Sequence, residues 1–220
     1  MSNQTKYLAD FEEGEIYHVY NRTNNKEPLF LSNENRIYFL KRYRNLLSDF
    51  IDTYCWNLQP NHFHFLIKIK LEKDIKAYLE NKPRNELTIT ENKFLRQKIG
   101  FSELIEQTFK RFFQSYALAF NKQYHRQGNL FCRPFKRIKI DKDSQFIMTV
   151  IYIHANAAKH KLVKDFTKHI WSSWHSILSD QPTLLLRKEL MEWFGGIDNF
   201  IAVHKEMSAY YFNCETALEE

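Results

Sequence analysis

Glycine and proline are scarce in this 220-residue chain, with five of each. That scarcity excludes a linker-rich, low-complexity or disordered protein. Cysteine is scarcer still. Cys55, Cys132 and Cys214 lie far apart, without the paired spacing of a zinc site or the framework of a disulfide scaffold, so a reducing compartment is expected. No apolar run approaches the ~18 residues of a membrane helix. Met1–Asp10 is polar, unlike the apolar centre of a signal peptide. A soluble cytoplasmic protein with no membrane partner is the expectation.

What the chain does have is aromatics and an uneven charge. Phe 19, Tyr 12 and Trp 4 can fill a substantial core. Net charge is +6, but residues 101–140 hold eight Lys and Arg against two acidic residues, whereas 181–220 hold three against seven. A basic, aromatic middle suits a polyanion partner. On its own it is equally a solvated surface.

Hydrophobic periodicity gives the element order. Ile16–Thr23 reads as a strand, and a helix capped by Ser32 or Asn33 follows, burying Ile37, Leu40, Tyr43, Leu46 and Leu47. Ile51–Leu58 and His62–Ile69 read as a hairpin turned at Gln59-Pro60-Asn61. A marginal helix over Asp74–Leu79 precedes the strongest helical pattern, Phe101 to Phe120, whose aromatic stripe reads as core. A basic loop, a strand over Pro134–Ile140 and a helix from Asp141 or Asp143 to about His160 complete the order strand-helix-strand-strand-helix-strand-helix. This predicts an α+β fold with a ferredoxin-like, split βαβ antiparallel sheet and helices packed mainly on one face. Residues 1–178 form the expected catalytic unit. Residues 179–220 form a helical extension, with helices over Thr183–Phe194 and Phe200–Ala217.

Within the hairpin, His62 and His64 share one face of their strand, and Phe63, Phe65 and Ile67 share the other. This is either a polar strand face or half of a metal site. Tyr152 and Asn156, four apart, share a face of the last core helix, with Lys159 close to it. If that helix lies over the histidines, two imidazoles and an amide oxygen make a three-ligand site with open positions. Such ligands suit Mg²⁺ or Mn²⁺ beside a substrate phosphate, though their chemistry admits zinc. A tyrosine one turn from a metal ligand is placed as a nucleophile, and Lys159 as a contact to the phosphate or transition state.

Pro60-Asn61-His62-Phe63-His64 resembles the histidine–hydrophobic–histidine motif of single-strand DNA transposases and of relaxase or replication nucleases. The chain is similar above all to the IS200-like tyrosine transposases, in their branch associated with repetitive extragenic palindromes. Further segments carry the resemblance in order: Tyr17-His18-Val19-Tyr20-Asn21-Arg22, Phe120-Asn121-Lys122-Gln123-Tyr124 with Arg126, Gly128, Leu130, Phe131 and Phe135-Lys136, then Tyr152-Ile153-His154-Ala155-Asn156 and Trp171-Ser172-Ser173. It covers roughly residues 10 to 178. It implies a ferredoxin-like core in which His62, His64 and Asn156 bind Mg²⁺ or Mn²⁺ and Tyr152 is the single nucleophile. The implied substrate is single-stranded, hairpin-forming DNA, handled by a nucleoid-associated protein that is a monomer or a homodimer. The chain departs from the family at Ala157, where proline is usual, and at Gln59, where methionine is usual. Neither change removes a catalytic residue. Arg22, Lys122, His125, Arg126, Arg133, Lys136, Arg137 and Lys139 are the expected phosphate contacts, and Tyr124 and Phe131 the expected base-stacking rings. Cys55 and Cys132 are expected to pack, and His154 to be a core or helix-packing histidine. The competing functions are a relaxase-type nickase and a DNA-binding regulator with a vestigial site.

Overall fold

A computed structural model describes residues 7–213. Cys214 and the expected end of the last helix, Ala217, lie outside the described residues. Four strands, β1 (Ile16–Arg22), β2 (Ile51–Leu58), β3 (His62–Ile69) and β4 (Lys136–Lys139), form one sheet in the order β2-β3-β1-β4. Every neighbouring pair is antiparallel. The β2–β3 turn falls at Gln59–Asn61, where a proline and an asparagine favour reversal of the chain.

The helices are α1 (Asn33–Leu47), α2 (Glu72–Asn81), α3 (Ile89–Leu95), α4 (Phe101–Gln123), α5 (Asp143–Lys159), α6 (Trp174–Leu178), α7 (Arg187–Phe194) and α8 (Ile197–Asn213). Ser32 starts α1 through a capping box with Asn35. Its buried side is Asn35, Phe39, Tyr43 and Leu47, while Ile37 is exposed. The expected stripe thus had its face partly wrong, because the four-residue repeat through Phe39 and Tyr43 fixes the helix on the sheet. Helix α3, which the periodicity did not reveal, starts at a second capping box, Thr88 with Glu91. Asp143 is the first residue of α5 rather than its cap, and Lys142 stands at the cap.

The sheet is covered on both faces, which corrects the expectation of helices mainly on one. Phe63, Phe65 and Ile67 of β3 join Tyr17 and Val19 of β1 in a core closed by Phe39 and Tyr43 of α1 and Phe109, Phe112 and Tyr116 of α4. Leu66 of β3 points the other way, into a second core with Phe146, Val150 and Ile151 of α5, Leu190 and Phe194 of α7, and Phe200 of α8. The reason is visible in α5 itself. Residues 150–158 are all buried, because α5 is a middle layer between the sheet and the C-terminal helices, so no face of it reads as polar. A bulge in β2, where the register shifts between Thr53 and Cys55, turns both Tyr54 and Cys55 into the second core.

Short segments continue the sheet on both sides. Asn57 pairs with Ser172 and Thr53 with Leu185 along β2, while Leu8 pairs with Arg137 along β4. The Trp171-Ser172-Ser173 motif thus has a structural place: Leu58 N–H donates to Trp171 O at 2.8 Å, and Ser173 N–H to Trp56 O at 2.9 Å.

Candidate active site

Strand alternation puts His62 and His64 on the β3 face opposite the Phe63 core, beneath α5. His64 is buried, across from Tyr20 of β1 and Asn57 of β2. It stacks on Tyr20, with centroids 5.5 Å apart, and its Nδ1 lies 2.9 Å from His18 Nε2. The His62 and His64 rings meet edge to face at 5.3 Å. Helix α5 brings the Tyr152 ring edge-on to His64 at 5.5 Å and to His18 at 5.9 Å. One turn later Asn156 Oδ1 stands 3.3 Å from His62 Nε2. The helix is held in this register by Asn57 Nδ2, which donates to Ile153 O at 2.8 Å. At its end, Lys159 Nζ lies 5.4 Å from the centre of the Tyr152 ring, and the His160 ring lies 5.0 Å from His62.

The contacts of His62 bear on its fitness as a ligand. Its Nδ1 lies 2.7 Å from Asn61 Oδ1, an oxygen that only accepts, so Nδ1 carries a proton. In the neutral ring Nε2 then presents a lone pair to the Asn156 oxygen, another acceptor. Two facing acceptors are reconciled by a cation between them, or by the Asn156 amide turned over to present its NH₂. A ligand nitrogen fixed by a hydrogen bond at the opposite ring position is also how metal-binding histidines are oriented. The residues fit a divalent ion with His62, Asn156 and the adjacent His64 as donors. Among the described residues, no three His, Cys, Asp or Glu side chains form a metal-binding group. The set would depend on the Asn156 amide and on open positions.

A cleft of about 780 Å³ opens beside the histidines, lined by His62, His64, His160, Tyr7 and Tyr20. Arg22, Lys26, Arg133 and Lys136 supply its positive charge, and Lys136 Nζ lies 4.8 Å from the Tyr7 ring centre. Tyr152 is 2% exposed and lies behind this wall. A second cleft of about 770 Å³, between α4 and the 128–135 segment, shares Asn21, Cys132, Arg133 and Pro134 with the first.

The residues expected to bind DNA divide sharply. Arg22, Arg133 and Lys136 line the histidine cleft. Lys122 and His125 are exposed around the end of α4 and line neither cleft. Others are engaged in the fold. Arg137 is 5% exposed, pairs with Glu106 at 2.7 Å and lies between the Phe11 and Phe135 rings, so it is a packing residue rather than a phosphate contact. Phe131 packs on Phe113 and Tyr116 in the core and is largely buried where it borders the second cleft. Tyr124 donates to Asn35 Oδ1 at 2.8 Å and packs on Phe120. Arg126 pairs with Glu27 and bonds to Asn129 O, bracing its own loop. Lys139 pairs with Glu12 at 2.9 Å, opposite Tyr17, at the end of β4 away from the histidines.

Sequence reasoning passed over His18, Tyr20, Lys26 and His160 as site residues. His18 and Tyr20 alternate with the buried Tyr17 and Val19, a signal that becomes legible once β1 is paired with β3. Cys55 packs in the second core as expected, and burial pushes its thiol up. His154 is core, also as expected. Its Nε2 lies 2.9 Å from Ser173 Oγ and its Nδ1 lies 2.9 Å from His204 Nε2. Burial lowers both imidazoles, that of His204 to about 4.

No protein-family model matches the chain, and no curated protein matches it. Among solved structures, the chain is similar in fold to a REP-associated tyrosine transposase bound to a REP hairpin, at 17% identity and a TM-score of 0.52, over 83% of this chain and 89% of that one.

Proposed function

We propose that this protein is a divalent-metal-dependent enzyme that cuts and transfers single-stranded DNA, with Tyr152 as nucleophile. The observation that carries the reading is the convergence of two sequence-distant pairs, with Tyr152 against His64 and Asn156 Oδ1 3.3 Å from His62 Nε2. The four-stranded antiparallel sheet in the order β2-β3-β1-β4 and the fold shared with a hairpin-bound tyrosine transposase support it. Hairpin-forming repeat DNA is the substrate class that follows.

In this reading His62, His64 and Asn156 hold Mg²⁺ or Mn²⁺, which when bound would polarise the scissile phosphate and offset charge developing on it. Arg22, Lys26, Arg133 and Lys136 draw the strand into the cleft. The Tyr152 oxygen forms a bond to phosphorus as it loses its proton to solvent. The bond from phosphorus to the 3′ oxygen breaks, and that oxygen takes up a proton. A 5′-phosphotyrosine and a free 3′-hydroxyl result, and the stored ester allows rejoining to a second 3′ end. Lys159 lies beside the attacking ring to meet the phosphate charge. Because Tyr152 is buried, its hydroxyl must be uncovered as DNA enters, and the contacts around it tighten on substrate.

That burial is also the observation favouring a second reading, a DNA-binding regulator that does not cut. One experiment separates the two. Labelled hairpin DNA with a single-stranded flank is incubated with Mg²⁺ or Mn²⁺ and resolved on a denaturing gel. The wild type is expected to yield a covalent protein–DNA adduct that Tyr152→Phe abolishes at unchanged DNA affinity. DNA bound by the wild type without an adduct would establish the regulator.

A further inference from the structure

The second core holds a polar chain that crosses it from one side to the other. His204, buried in α8, has Nδ1 2.7 Å from Phe200 O. A carbonyl only accepts, so Nδ1 carries the proton and Nε2 accepts. The atom facing that Nε2 is His154 Nδ1, which must therefore donate, leaving His154 Nε2 to accept from the Ser173 hydroxyl. Ser173 Oγ in turn accepts from Trp56 N–H of β2 at 2.9 Å. The ring protons are thus assigned from the Phe200 carbonyl, and the Ser173 hydroxyl, which also lies 3.3 Å from Trp56 O, turns to the His154 lone pair. Both imidazoles are neutral Nδ1–H tautomers, and the bonds run in one direction from β2 to α8.

The chain's place on α5 gives it a use. His154 sits midway between Tyr152 and Asn156, on the side of the helix turned away from the sheet, among Trp174, Phe166 and Phe200. An apolar ring would fill this space equally well, without burying four polar groups. A directional hydrogen-bond chain adds orientation, because it is satisfied at one rotation of the helix only. The strand at its other end also provides Asn57, whose amide holds Ile153 O and which pairs with His64 across the sheet. The turn bearing both candidate catalytic groups is therefore tied to β2 twice, once directly and once through Ser173. The direct tie fixes its height. The second tie, from the opposite side, prevents it from rolling.

We infer that His204, with His154 and Ser173, is a positioning residue for the active site, through which the C-terminal helix sets the rotation of α5 and so the approach of Tyr152 and Asn156 to His62 and His64. This rests on the function proposed above. It also makes the C-terminal helices part of the catalytic apparatus, though none of their described residues lines the cleft.

The test compares His204→Ala, His204→Gln and Ser173→Ala in the full chain. Gln can supply an acceptor to His154, whereas Ala cannot. The rate of adduct formation with hairpin DNA and Mn²⁺ is expected to fall about 10- to 100-fold in the two alanine variants, the scale of a misplacement of about 1 Å. DNA affinity should stay within about twofold, and Gln should restore most of the rate. Imidazole ¹⁵N spectra provide a readout independent of cleavage. The wild type should show His154 and His204 as Nδ1–H tautomers, and His204→Ala should shift the His62 and His64 signals where Gln leaves them in place. Wild-type adduct rates in both alanine variants would overturn the inference, as would a Gln variant no better than Ala. If the wild type forms no adduct at all, the nucleophilic reading of Tyr152 fails separately. Unmoved His62 and His64 signals in His204→Ala would then overturn the positioning role as well.

Discussion

Arg133 and Arg137 lie four residues apart in one basic stretch, and their environments give them opposite roles. Arg133 is exposed and borders both clefts. Arg137 is sealed between two phenyl rings, with its guanidinium on Glu106 and on Ala9 O. Removing one partner of a buried pair strands the other and opens a hole. Arg137→Ala should therefore lower stability by about 2–3 kcal/mol in a urea titration, towards the low end because Glu106 keeps Lys110 as a second partner. Its effect on single-stranded DNA affinity should be small. Arg133→Ala should do the reverse, leaving the unfolding midpoint in place while weakening DNA binding several-fold at low salt. Charge counted along the sequence could not separate the two. Their difference comes from Phe11, more than a hundred residues earlier, closing over one of them.

At the scale of elements, the hairpin was legible and α5 was half legible. Period-two alternation from His62 to Ile69 identified both faces of β3, and the four-residue spacing of Tyr152 and Asn156 put them on one side of their helix. The layer beyond α5 was not legible, because a helix buried all round carries no polar stripe to say where solvent lies. The contact between the His18 and His64 ring nitrogens needed the β1–β3 register, which no local pattern supplies. The docking of α8 on α5 has a pH signature. Burial holds the His204 pKa near 4, whereas an unfolded histidine titrates near 6.5. Between those values the unfolded chain binds more protons than the folded one, so stability drops as pH falls. From pH 6.5 to 5 the His204 contribution is on the order of 2 kcal/mol. Denaturant midpoints measured across that range should decline in the wild type, and less steeply in His204→Gln, which has nothing to titrate at that position.

At the scale of the molecule, the C-terminal helices are structural partners of the sheet domain. Leu190, Phe194 and Phe200 share the second core with Phe146, Val150 and Ile151. A chain ending at residue 178 would expose that whole side of α5 to water, a patch of a kind that drives aggregation. Truncation there should yield insoluble or molten material rather than a smaller folded domain, as solubility and near-ultraviolet circular dichroism would report. The pairings that flank the sheet have a consequence of another kind. The outer backbone groups of β2 are used by Trp171, Ser173 and Leu186, and Arg137 N–H of β4 is taken by Tyr7 O. Open strands recruit strands from neighbouring molecules, and proteins guard against this by covering them. This chain covers both margins with its own backbone. A second copy that joined it would dock through its helices, because among the described residues neither margin offers a continuous ladder on which to extend the sheet.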